Sequence, residues 1–438
     1  GRRWHRLVEA LGQPQPYFRP GIGPYVEVTG PGIAEAFNHT REMQPVLPPS
    51  VAIVPEIENY PHTRFMKSVA NVRADMTLAQ LMGLPGVTFS ILRMNERLDL
   101  ELPREPAWQR LLGEVKPYLQ QIADLHIEAA QHRGVGLFQH EDAARQARGV
   151  AGMSRPIFTY RQRPWDVALP LLGIATRYGR SDITACSGEA IGALSDAELD
   201  DMLRGGVLLD ARAAETLLRR GKGALAGITA RRPDVDAVTE VITDATFGGL
   251  AGDIINLRWE GTPWQFAPAA GTREISRVRQ YDGRDAGHGV LLCENALGGR
   301  VAIVPCDGQA HVSALGLGFT ALASPTFLNW TRQAQLADVL AWLGRKPLEL
   351  FVPGAPGVMP LLIDQGARRI VGVTNLHYDP IARLQLRLRD VPAGTVRALQ
   401  PDATWTPLDA ALRREHGVLE IDTGLRVGFL ETAVLVVE

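Results

Sequence analysis

Val51-Ala-Ile-Val-Pro-Glu-Ile-Glu-Asn-Tyr-Pro-His-Thr63 is an apolar run closed by two carboxylates, Glu56 and Glu58, and a proline-containing turn. Its β-branched residues and short length read as a strand. Side chains alternate across a strand, so Glu56 and Glu58 share one face. Around this run, Trp4 to Leu11, Ile33 to Met43, Met76 to Met82 and Trp108 to Ala130 read as helices, and Pro24 to Val28 and Val87 to Leu92 as further strands. Three βα units in series imply a parallel sheet, and polar residues at the C-terminal strand ends fit a (β/α)8 barrel. A whole barrel takes eight units over roughly 250 residues. Residues 1–150 are therefore expected to form the C-terminal part of a TIM barrel.

The 438 residues, 45% hydrophobic and 21% charged, are ordinary globular material for two to four domains. A formal net charge of -2 arises from 46 basic and 48 acidic residues that are well mixed. No basic stripe points to nucleic acid and no polybasic segment to a membrane surface, so neither is an expected partner. Cys186, Cys293 and Cys306 are odd in number and widely spaced, which argues against a disulfide framework and for a reducing, cytoplasmic setting. No run of about 18 apolar residues occurs, and Gly1-Arg-Arg-Trp-His5 lacks the apolar centre of a signal peptide. No His, Cys and carboxylate cluster has metal-ligand spacing, and neither Gly205-Gly206 nor Ala314 to Phe319 is a dinucleotide fingerprint. Neither metal nor cofactor is expected.

Residues 151–345 read as a second α/β region. Arg155 to Tyr160 and Asp182 to Cys186 are strand-like, and Asp166 to Tyr178 and Ala211 to Arg220 are helical. Ser195-Asp-Ala-Glu198 is a capping box opening a helix to Arg204. With Gly205-Gly-Val-Leu-Leu-Asp210, Val301 to Pro305 and a helix from Asn329 to Leu343, the rhythm is that of a doubly wound sheet. Near 241–289 short strand-like pieces, glycines, and Trp259 and Trp264 mark a β-rich insertion. Across 346–438 helical patterns vanish. Leu348 to Val352, Arg369 to Asn375, Ala382 to Leu388, Val396 to Leu399, Gly417 to Ile421 and Thr432 to Val437 predict a small antiparallel β-sandwich.

A barrel strand bearing Glu, then an α/β domain, then a small β-sandwich resembles the family 42 glycoside hydrolases and relatives such as the family 164 β-mannosidases. The resemblance implies a retaining exo-β-glycosidase with an amidotransferase-like middle domain that mediates homotrimers. In the family's β-galactosidases the nucleophile lies in a Met-Glu-Gln-Thr-Pro-type segment ending the seventh strand. Ile57-Glu58-Asn59-Tyr60-Pro61 matches with the same spacing from Glu to Pro, and Gly205-Gly-Val-Leu-Leu-Asp210 is similar to a Gly-Gly strand of the relatives' middle domains. By that match Glu58 is the nucleophile, with Glu56 as the second candidate. The match also puts the acid/base at the end of the fourth strand, far upstream of the nucleophile. With Glu58 so near the start, the acid is expected on an upstream segment or a second chain that completes the barrel. Glu27 then falls on the sixth strand, where relatives bind sugar.

Tyr25, Asn59, Tyr60 and Asn95 are further candidates to stack on or bond to a small carbohydrate substrate, and each also suits core or rim packing. Glu56 and Glu58 equally suit an ion network with Arg64 or Lys67. His62 reads as a loop histidine rather than a substrate ligand. Cys186, before Ser187-Gly188 and a helical stretch, superficially resembles a nucleophile elbow. No His-x-Glu pair follows in the context of a thiol amidase, with His288 and His311 in or near the insertion, so a small buried strand-end residue is the stronger reading. A non-catalytic carbohydrate-binding or assembly subunit is the main alternative to an enzyme.

Overall fold

The computed structural model describes residues 4–12, 16–20, 30–59, 67–90, 106–143, 164–257, 263–306, 328–391 and 394–438. Contacts gather the chain into two units, Gly134–Leu348 and a discontinuous one made of Arg3–Arg133 and Glu349–Glu438. The chain is α/β, with parallel strands joined through helices in both units.

In the discontinuous unit, Tyr17–Phe18 pairs in parallel with Ala52–Ile53, and Glu56–Glu58 in parallel with Thr88–Ser90. The expected strand from Val51 to Glu58 is thus two short pieces, because Pro55 has no N–H to give. The ladder nevertheless runs on. The amides of Ala52, Val54 and Glu56 donate to the carbonyls of Pro16, Phe18 and Pro20 at 3.1, 2.9 and 2.8 Å. On the other side Thr88 donates to Pro55 at 2.8 Å and Asn59 to Ser90 at 3.2 Å. The helices Gly30–Arg41 and Val69–Leu81 make the crossovers, and Pro106–Ala123 follows the third strand. That last helix stops short of the expected Ala130, where Ala129–Gln131 forms a separate 3-10 turn. The strand expected at Pro24 to Val28 lies outside the described residues.

Two antiparallel sheets follow within the same unit. One runs Trp405–Pro407, Val396–Leu399, Thr432–Val437, Arg369–Asn375, Val358–Asp364, His132–Arg133. The other runs Leu350–Phe351, Gln385–Arg389, Val418–Asp422, Ala411–Glu415, with burial alternating along Gln385–Arg389 as a half-solvated sheet requires. Arg369–Asn375 is buried along almost its whole length, and helix side chains reach this sheet. A Cβ on Gly372 would come within 2.7 Å of Leu81 Cδ1, and the Tyr118 hydroxyl donates to the Thr432 carbonyl at 3.4 Å.

The unit Gly134–Leu348 is built on a seven-stranded sheet. Its parallel part runs Thr176–Tyr178, Val135–Leu137, Ile183–Cys186, Gly206–Leu209, Arg300–Ile303, the doubly wound order in which the first strand lies between the second and third. Leu291–Glu294 and Arg273–Glu274 extend it antiparallel. The helix expected over Asp166 to Tyr178 is corrected to Pro164–Leu171. Gly173, at φ +77°, closes it: the amides of Gly173 and Ile174 donate to the carbonyls of Pro170 and Leu169, which frees Thr176–Tyr178 to become the edge strand. The capping box at Ser195 forms, with the Glu198 amide donating to Ser195 Oγ and the Ser195 amide to Glu198 Oε2. The insertion is a four-stranded antiparallel sheet of Ile254–Asn256, Thr239–Ile242, Ser276–Arg279 and Asp285–His288, beside the pair Ile228–Arg232 and Gln265–Pro268. Glu240 ties that sheet to the helix Trp330–Gly344 through Arg332 at 2.7 Å and Gln335 at 2.9 Å. Burial pushes the Glu240 carboxyl up, but Arg332 and the bonds from Gln335 and Ser276 outweigh it and hold it low.

Candidate active site

The strand Glu56–Glu58 alternates in burial. Ile57 is fully buried, in one cluster with Val72 and Met76 of one helix and Trp108, Leu111 and Val115 of the next. Its neighbours Glu56 and Glu58 are half-buried and project from the opposite face of the strand, away from the helical layer. In a parallel sheet backed by helices, that opposite face and the C-terminal strand ends are where polar chemistry gathers. Two carboxylates therefore stand together where the apolar strand body ends.

Arg19, at the end of the neighbouring strand, donates from Nη1 to Glu56 Oε1 at 2.7 Å; the Arg19 side chain is 51% exposed and that of Glu56 15%. Of the ion network expected with Arg64 or Lys67, Arg64 lies outside the described residues. Lys67 is instead buried against Asp75 of the following helix, Nζ to Oδ2 at 2.6 Å, with both side chains 1% exposed. Asn59 is fully buried directly after Glu58. Arg19 escaped the sequence reading because Tyr17–Phe18, a strand of two residues, carries no period of its own. Tyr25, Glu27, Tyr60 and Asn95, and with them His62 and Arg64, lie outside the described residues.

Cys186 is no nucleophile. It is fully buried at the end of its strand, its Sγ lies 3.8 Å from Met202 Sδ, and burial first, then the nearby Asp210 carboxylate, pushes its thiol far above the ordinary range. The turn that follows is held for structural reasons, Asp210 accepting from the amides of Gly188 at 2.7 Å and Ala213 at 2.8 Å as the cap of the helix Ala211–Arg219. A thiol so buried argues against the thiol amidase reading for this cysteine. Among the described residues no helix is long and apolar enough to cross a membrane.

No protein-family model and no curated protein sequence matches the chain. Solved structures do. An α-L-fucosidase isoenzyme 2 from Paenibacillus thiaminolyticus superposes with a TM-score of 0.62 at 13% identity, over 100% of this chain and 66% of that one. A β-galactosidase from Bacillus circulans sp. alkalophilus gives 0.57 at 13% identity, over 96% of this chain and 60% of that one. A family 42 β-galactosidase from G. stearothermophilus, in a catalytic mutant form, gives 0.55 at 10% identity, over 96% and 58%. The chain thus shares the fold of family 42 β-galactosidases and of this fucosidase, and spans less than two thirds of their length.

Proposed function

We propose that the chain is the C-terminal portion of a retaining exo-β-glycosidase acting on a small carbohydrate, with Glu58 as its nucleophile. In this reading residues 1–150 close a (β/α)8 barrel, 151–345 form an amidotransferase-like domain of the kind that assembles homotrimers, and 346–438 form a β-sandwich. The observation that carries the assignment is the place of Glu58 on its strand: one step beyond Glu56 toward the C-terminal end and on the face opposite the buried Ile57, it stands at the position that matches the family's Glu-x-x-Pro segment. Glu58 attacks the anomeric carbon, the glycosidic bond breaks, and water releases the covalent glycosyl-enzyme with the help of an acid/base on polypeptide beyond these 438 residues. A retaining pair needs its two carboxyl groups about 5 to 5.5 Å apart on opposite sides of the scissile bond, which neighbours on one strand face do not provide. Three free cysteines accord with a reducing, cytoplasmic setting.

Dinitrophenyl β-glycosides test the assignment, because their leaving group needs little help from an acid and reads the nucleophile alone. In the complete enzyme Glu58→Ala is expected to lower turnover by about 10³-fold or more, with azide restoring it as an α-glycosyl azide. Undiminished turnover in Glu58→Ala, or azide rescue only in Glu56→Ala, contradicts the assignment. Sugar binding without turnover in the complete protein indicates the carbohydrate-binding or assembly subunit instead.

A further inference from the structure

Tyr378 is 66% exposed, yet its ring is not loose. The ring of Phe429 lies against it, centroids 4.9 Å apart and planes tilted by 39°. One fully buried side chain braces the turns that carry both rings. Asn375 donates from Nδ2 to the carbonyls of Asp379 at 2.9 Å and Val427 at 3.1 Å, and its Oδ1 accepts from the His377 amide at 2.9 Å. Its backbone carbonyl accepts from the Leu430 amide at 2.8 Å, and the Asp379 amide donates to His377 Nδ1 at 3.1 Å. The bridge between Ile381 and Val427 closes the pair of turns. An aromatic face is therefore held out to solvent by a scaffold that is itself buried and bonded, as binding residues on surface loops generally are.

We infer that Tyr378 and Phe429, flanked by His377 and Asp379, form a surface platform for a neutral sugar ring of a glycan, at a site other than the Glu58 strand. The carbohydrate class rests on the glycosidase reading above, and the chemistry of the patch suits it. The C–H face of a pyranose packs on an aromatic ring, and hydroxyls at the edge of the sugar reach donors and acceptors beside it. Asp379 and His377, whose side chains are 88% and 56% exposed, stand next to Tyr378 in the turn and supply both. A protein partner fits poorly. Two rings bordered by exposed charged groups fall far short of the roughly 800 Å² per partner, depleted of charge at its centre, that a stable interface buries.

The test is native gel electrophoresis of the full chain carrying Glu58→Gln, which removes turnover, in gels containing soluble β-galactan, β-mannan or xylan. Retardation in at least one of the three is expected. Adding Tyr378→Ala should weaken it about fivefold or more, whereas Tyr281→Ala, at an exposed tyrosine elsewhere, should leave it unchanged. Both tyrosines are surface residues, so circular dichroism of each variant should match the parent. No retardation in any gel, or retardation that survives Tyr378→Ala, overturns the platform. A sedimentation coefficient that falls in Tyr378→Ala also overturns it, because the rings then lie between copies of the chain. Failure here leaves Glu58 untouched, since that assignment is read by turnover and labelling.

Discussion

At the scale of single residues, burial sets which groups stay neutral. Tyr118 is buried beneath the sheet, and burial, partly offset by the Arg73 guanidinium over its ring, pushes its hydroxyl up to about 12. The native state keeps this proton when the unfolded chain, near pH 10, has begun to lose it. Its contribution is therefore present below pH 10 and lost as pH rises through 12. Tyr118→Phe is expected to flatten the alkaline loss of stability between those values by about 2 to 3 kcal/mol, read from urea midpoints; an unchanged slope contradicts the assignment. Cys186 obeys the same sign, its raised thiol staying protonated in the folded protein. Iodoacetamide at pH 8 should leave Cys186 unmodified until the protein is unfolded. The pair Arg19–Glu56, with half of Arg19 in solvent, is worth little to stability, about 0.5 kcal/mol. Arg19→Met should accordingly unfold close to the parent.

At the scale of elements, local chemistry was readable and long-range pairing was not. Ser195-Asp-Ala-Glu198 announced a helix start because the capping box is a contact between near neighbours, and Ser195→Ala should cost about 1 kcal/mol of stability. Val135-Gly-Leu137 gave no such notice. Three residues with a central glycine carry no period, yet they lie inside the seven-stranded sheet, and a Cβ at Gly136 would meet the Gly179 carbonyl at 2.5 Å. Val358–Asp364 was hidden by Pro360, a residue that ordinarily speaks against a strand. It is tolerated where the short strand His132–Arg133 covers only Leu362 and Ile363. Likewise the carboxylates Glu56 and Glu58 were legible from alternation alone, whereas Arg19 follows a strand of only two residues, Tyr17–Phe18, too short to show a period. The buried pair Lys67–Asp75 fixes the start of the helix that follows Glu58. Asp75→Asn leaves an ammonium buried without its counter-charge and should cost about 3 to 5 kcal/mol, while the double change Lys67→Met with Asp75→Leu should recover most of it. A double variant no better than the single one contradicts that account.

At the scale of the whole molecule, the strand that carries Glu58 depends on residues far away in sequence. Gly372 receives Leu81, Thr432 receives Tyr118, and Leu362–Ile363 pairs with His132–Arg133. Deleting residues 349–438 should therefore make 69–123 sensitive to protease, while Gly134–Leu348 still resists as a separate unit. Resistance of 69–123 in the shortened chain contradicts the shared packing. The chain shares its fold with glycosidases, and the proposed function makes Glu58 the nucleophile. A dinitrophenyl 2-deoxy-2-fluoro-β-glycoside, followed by peptide mass mapping of the intact enzyme, tests the two together. Covalent label on Glu58 is the expected result, and label on Glu56, or on neither glutamate, contradicts the account.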